Sequence, residues 1–177
     1  LCGPYLDNRI GCVTLLLMME QLAEAETEND LYFVFTAQEE VGLRGAGVAA
    51  FSERPDIAVA IDGTTANDVA DVPKEKWVCT VGSGAVVSFM DRATVYDPAL
   101  YRQIREIADS LHLPNQTKTV IVGGNDAGAM QRAAGGARVA AVSLPCRYIH
   151  SPSSVVSLKD MENTGALLFA LTEKLPQ

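Results

Sequence analysis

Four short apolar runs, 31–36 (LYFVFT), 57–61 (IAVAI), 119–122 (TVIV) and 139–144 (VAAVSL), punctuate the chain, and none of them alternates cleanly between polar and apolar residues. A strand with one wet face alternates, whereas a strand covered on both faces reads as a continuous apolar run. The runs therefore predict an α/β fold, a three-layer α/β/α sandwich around a mostly parallel sheet. Helical patterns lie between them. Over 98–111, Asp97 is placed as N-cap, Pro98 occupies the first helical position, and Leu100, Ile104, Ile107, Ala108 and Leu111 form one stripe. A closing helix over 158–175 starts with a capping box of Ser157 and Asp160 and carries the stripe Leu158, Met161, Gly165, Leu168 and Leu175. A first helix over 9–24 is apolar almost all round (Val13, Leu15, Leu16, Leu17, Met18, Met19, Leu22), which predicts heavy burial. It is too short to span a bilayer.

Charged residues sit at the ends of these runs. In an open α/β sheet the carboxyl ends of the strands converge on one edge, so residues far apart in sequence meet there. Asp7 stands at the mouth of the first helix, where an Asp also serves as a cap. Glu39 and Glu40 follow the run 31–36, and two adjacent like charges beyond a buried strand either face water or bind a cation. Asp62 follows the run 57–61 before Gly63, a pairing equally at home in a turn. His150 follows the run 139–144. Three acidic positions and one imidazole at one edge form a ligand set suited to zinc or cobalt. Side chains of consecutive residues diverge, so one of Glu39 and Glu40 can ligate while the other reaches a water. The same adjacency counts against a glycosidase, whose two acids face each other across a sugar ring. Asp126 is placed as the cap of a helix running to Ala134, and His112 as a helix C-terminal residue favoured by the dipole.

Composition narrows the partners. With 177 residues, 48% of them hydrophobic, the chain can bury the core of one domain. A net charge of −8 with no basic stripe argues against nucleic acid and anionic membranes. Cys2, Cys12, Cys79 and Cys146 show no paired spacing, which points to free thiols and a cytoplasmic location.

The pieces LDNRIG, FTAQEEVGLRGA, AIDGT, GGNDAG and PCRYIHSP, in this order, resemble the later portion of the M42 family of co-catalytic metallo-aminopeptidases, the glutamyl and tetrahedral aminopeptidase group. The resemblance implies two divalent metal ions, zinc or cobalt, in a complete site. Asp7 would bridge them, Glu40 and His150 would ligate one, Asp62 the other, and Glu39 would be the general base. It implies peptide substrates and a homo-oligomer, a dodecamer in the family. It also implies that residues 1–177 are a single catalytic-type domain of a longer protein, without an inserted PDZ-like domain and an N-terminal segment. The family takes another metal ligand from an upstream HxD motif, which has no counterpart here, so the chain by itself is expected to hold one metal or none and to hydrolyse peptides weakly. GGNDAG carries Asn125 where the family usually has Thr. Two further readings are a non-catalytic assembly or regulatory subunit with the same fold and a polysaccharide hydrolase.

Overall fold

The computed structural model describes residues 1–175. Its elements are β1 (Cys2–Gly3), α1 (Leu6–Leu22), α2 (Arg44–Glu53), β2 (Ile57–Ala60), β3 (Gly63–Thr65), β4 (Ala85–Val87), α3 (Pro98–Ser110), β5 (Asn115–Thr117), α4 (Ala127–Met130), β6 (Arg138–Arg147), β7 (Ser154–Val156) and α5 (Leu158–Lys174). β6 is the spine of the sheet. Along one edge it pairs in parallel first with β2 and then with β3. It pairs antiparallel with β4 at Val142–Ser143 and with β7 at Cys146–Arg147, while β5 extends β4 in parallel and β1 extends β7 antiparallel. The sheet is thus mixed where the sequence suggested mostly parallel pairing.

Alternation along β6 divides the core. Ala140 and Val142 face a layer formed by Met18 of α1, Leu100 and Ile104 of α3, and Leu167, Leu168 and Leu171 of α5. Val139 and Ala141 face the opposite way, toward Tyr96 and Ala127 at α4. α2 packs behind α4 and completes the third layer of the α/β/α fold. Burying a full Leu or Ile side chain contributes roughly 1.5–3 kcal/mol, so the α3–α5 face dominates the hydrophobic stabilisation. At Gly165 a Cβ would sit 3.7 Å from the Thr14 methyl, which sets how closely α1 and α5 approach.

α3 follows its sequence signals: the Asp97 carboxylate accepts the amides of Ala99 and Leu100, and the buried stripe is Leu100, Ile104, Ile107 and Ala108, with Leu111 left exposed. Four other expectations require correction. Residues 31–36 form no ladder among the described residues; Phe33 packs on the main core, but Leu31, Tyr32, Val34 and Phe35 are exposed. Residues 119–122 are also outside the sheet, because the ladder with β4 is taken by the polar stretch Asn115–Thr117 just upstream. α1 is not buried all round: it packs on α5 and the sheet through Leu6, Ile10, Thr14 and Met18, and Val13, Leu16, Leu17 and Met19 remain exposed because nothing described covers its outer side. In α5 the buried residues are Asp160, Asn163, Thr164, Leu167, Leu168, Ala170 and Leu171; of the expected stripe Leu168 is buried, Met161 and Leu175 pack partly buried against the core, and Leu158 is exposed. The Ser157 hydroxyl caps the Asp160 amide, but the Asp160 carboxylate does not return the bond; it points inward to the amides of Gly82 and Gly84. α2, a short run of small residues, carries too weak a stripe to be read from sequence. No helix among the described residues is long and apolar enough to cross a membrane.

Candidate metal centre

Asp7 is freed for the site by its neighbour. The Asn8 side chain does the capping, with Oδ1 accepting the Gly11 amide at 3.1 Å and Nδ2 donating to the Ile61 carbonyl at 2.8 Å. Asp7 itself has non-helical backbone angles (φ −83°, ψ 112°), which breaks the first turn. The Asn8–Ile61 bond ties this turn to the end of β2, where Asp62 follows. Gly63, the first residue of β3, lies against Asp7: a Cβ there would be 3.4 Å from Asp7 Cβ.

The loop carrying Glu39 and Glu40 is held at both ends. The Thr36 hydroxyl donates to Asp126 Oδ2, and the Gly45 amide donates to the Ala37 carbonyl at 2.9 Å. Gly45 lies so close to this loop that a Cβ would meet the Ala37 nitrogen at 2.6 Å. Gln38 and Leu43 take left-handed φ of 63° and 56°, and the amides of Gly42 and Leu43 close back on the Glu39 carbonyl. Such conformations cost energy in non-glycine residues and persist where the surroundings over-determine them.

His150 arrives from the connection between β6 and β7. Its Nε2 is 3.0 Å from Asp7 Oδ2 and 3.3 Å from Glu40 Oε1. One ligand atom from each of Asp7, Glu40 and His150 lies within 4.8 Å of the other two. Asp62 is outside this trio; burial first, and then the charges of Asp7 and Glu39, push its carboxyl well above the usual range. Glu39 stands beside the trio. Burial first, and then the charges of Glu40, Asp126 and Asp7, raise its carboxyl to about 7, with His150 opposing. Carboxylates crowded in this way are short of positive charge. A divalent cation would supply it, and two carboxylates with one imidazole are a donor set that zinc or cobalt accepts.

The five residues expected from sequence therefore gather in one neighbourhood, with Asp7, Glu40 and His150 at its centre. Asp126 corrects an expectation: α4 spans only Ala127–Met130, and the Ala127 amide is capped by Asn125 Oδ1 while Asp126 makes no cap. Asp126 instead pins Thr36, and its other oxygen, Oδ1, is buried without a hydrogen-bond partner among the described residues. Adjacent Asn and Asp residues are equivalent as cap signals, so sequence had no means of choosing between them. Arg147, which carries no local sequence signal, forms an ion pair with the buried Asp68; only the fold brings these two together.

Residues 1–167 match the family described as M42 glutamyl aminopeptidase. A lysyl aminopeptidase of Pyrococcus furiosus is 38% identical over 173 residues, covering 97% of this chain and 48% of that protein. An aminopeptidase of the archaeon Desulfurococcus kamchatkensis superposes with a TM-score of 0.94 at 34% identity, covering 98% of this chain and 49% of the other. A TET1 peptidase of Pyrococcus horikoshii, described as assembling into a tetrahedron or a large octahedral shell, superposes with a TM-score of 0.84 at 32% identity over 98% of this chain and 50% of its own. The chain spans about half the length of the curated relatives it matches.

Proposed function

The chain belongs to the M42 glutamyl aminopeptidase family, and from that membership we propose that it carries the catalytic site of a metal-dependent aminopeptidase that removes N-terminal residues from peptides. The observation that carries this reading is the convergence of Asp7, Glu40 and His150 with Glu39 beside them. In this proposal Asp7, Glu40 and His150 hold one divalent ion, zinc or cobalt, and Asp62 together with Asp7 holds part of the coordination of a second. Bound there, the ions supply Lewis acidity to the scissile carbonyl and lower the pKa of water. Glu39 takes a proton from the attacking water and returns it to the leaving amine. In the metal-free chain burial and the neighbouring acids raise the Glu39 carboxyl to about 7, and bound cations would lower it. Asp126 keeps the Glu39 loop in place through Thr36. Residues 1–177 act as a single catalytic-type domain, working in the cytoplasm within a homo-oligomer, a dodecamer by analogy with the family.

The test is hydrolysis of a panel of aminoacyl-p-nitroanilides by the chain and by its full-length parent, each metal-free and with added Co²⁺ or Zn²⁺. Metal-dependent turnover by the parent supports the reading. A folded, metal-loaded parent with no turnover overturns it in favour of a non-catalytic assembly subunit.

A further inference from the structure

Arg147 closes β6 three residues before His150, and its side chain is committed elsewhere. Nε donates to Asp68 Oδ1 and Nη2 to Asp68 Oδ2, both at 2.7 Å. This two-pronged geometry is available to a guanidinium and not to an ammonium. Asp68 is almost fully enclosed, with 1% of its side chain exposed, and it also accepts the Val81 amide at 3.0 Å. The segment holding Asp68 is tied to β6 a second time, because the Ala66 amide donates to the Cys146 carbonyl at 2.9 Å. The end of β6 is therefore clamped through backbone and side chain at consecutive residues.

Beyond the clamp the chain enters a strained turn. Tyr148 and His150 both have left-handed backbones, with φ of 57° and 58°. Among the described residues, the one side-chain bond that reaches Tyr148 is long: the Ser154 hydroxyl donates to the Tyr148 carbonyl at 3.3 Å. His150 is itself largely exposed, with 64% of its side chain open to solvent, so packing does little to aim the ring. Ile149 packs on the cluster of Leu6, Ile10 and Leu144, so the ring's direction is set by that contact and by the root of the turn. We infer that the Arg147–Asp68 pair is a positioning device for His150, fixing the end of β6 so that the imidazole meets Asp7 and Glu40. This inference rests on the proposed metal reading for its functional consequence, but not for the mechanics of the turn.

Two readouts on the full chain separate these levels. In the metal-free protein, hydrogen–deuterium exchange of the 148–153 amides is expected to rise in Arg147→Lys and Arg147→Met, with the α3 amides unchanged. In Co²⁺ titrations followed by visible absorption, the same variants should bind about 10–100-fold more weakly, as for other residues that orient a ligand. Asp68→Asn should match them, and Arg147→Met in a His150→Ala background should cause no further loss. Where Arg147→Met does not fold, Arg147→Lys, which keeps the charge and loses the fork, decides. Unchanged exchange in a folded variant overturns the inference whatever the metal does. Raised exchange with unchanged Co²⁺ affinity also overturns it, provided His150→Ala weakens binding. If His150→Ala leaves Co²⁺ binding untouched, the metal reading fails, and the exchange data still decide whether the pair orders the turn.

Discussion

Asp160, in the first turn of α5, accepts the backbone amide of Gly84 at 2.8 Å across 76 residues of sequence, and the amide of Gly82 at 2.6 Å. The carboxylate is buried, and burial raises its pKa despite the two amides that favour its charge. Asp160→Ala removes both acceptors at once. With about 1–3 kcal/mol for the buried Gly84 amide and less for the exposed Gly82 amide, the loss expected in urea unfolding is about 2–4 kcal/mol. Asp160→Asn, which keeps one carbonyl oxygen, should lose less.

A methyl group at Gly45 has nowhere to go, since it would meet the Ala37 nitrogen at 2.6 Å and the Ala37 oxygen at 2.7 Å. The loop bearing Glu39 and Glu40 must shift to admit it. In the full-length protein, Gly45→Ala is expected to reduce kcat/KM about 100-fold, the scale of an ångström-sized misplacement. Thermal unfolding measured alongside should show the core intact.

Asp97 caps α3 and also accepts Arg138 Nε at 2.8 Å, and that hydrogen bond, followed by the Leu100 amide, holds its carboxyl below the ordinary carboxylate value. A lowered folded pKa means that the unfolded chain binds the proton first as pH falls. The stabilisation is therefore complete above the unfolded pKa of about 4 and is lost as pH drops through the folded value. Asp97→Ala should cost about 1 kcal/mol at neutral pH, the usual worth of an N-cap. Urea melts of the two proteins should converge below about pH 4.

Glu39→Gln leaves shape and hydrogen bonding nearly unchanged and removes the base. In the full-length protein kcat is expected to fall by about 10²–10⁴. Co²⁺ affinity, measured by absorption titration, should stay within a few-fold of the parent, because Glu39 lies outside the Asp7, Glu40 and His150 trio. A matching loss of metal would assign Glu39 to ligation instead.

Local signals were the legible ones. Asp97, Pro98 and the apolar spacing behind them specify α3 without help from the rest of the chain. Asp62 and His150 were legible too, because each follows an apolar run that joins the sheet; 31–36, ahead of Glu39 and Glu40, does not join it among the described residues, and Asp7 lies in α1. What sequence could not supply was pairing. Whether 31–36 joins a ladder depends on which strand lies beside it, and the choice of Asn115–Thr117 over 119–122 depends on Pro114, whose carbonyl takes the Ala85 amide and sets the register of β4. The all-round apolar surface of α1 announced contact but not which side would receive it. Asp126 and the Arg147–Asp68 pair were hidden for the same reason: a side chain's partner 79 or 90 residues away leaves no periodic trace.

β6 does two jobs with one stretch of backbone. Its alternate residues fill the cores on both faces of the sheet, and its end delivers Arg147 and then His150. Adding or deleting one residue there would turn every later side chain to the opposite face and carry the imidazole off its mark in the same stroke. The exposed stretch 23–30 carries no such double duty. Length variation among natural versions of this sequence should accordingly collect in 23–30 and be almost unknown within β6, so that His150 is inherited at a fixed count from the centre of the sheet.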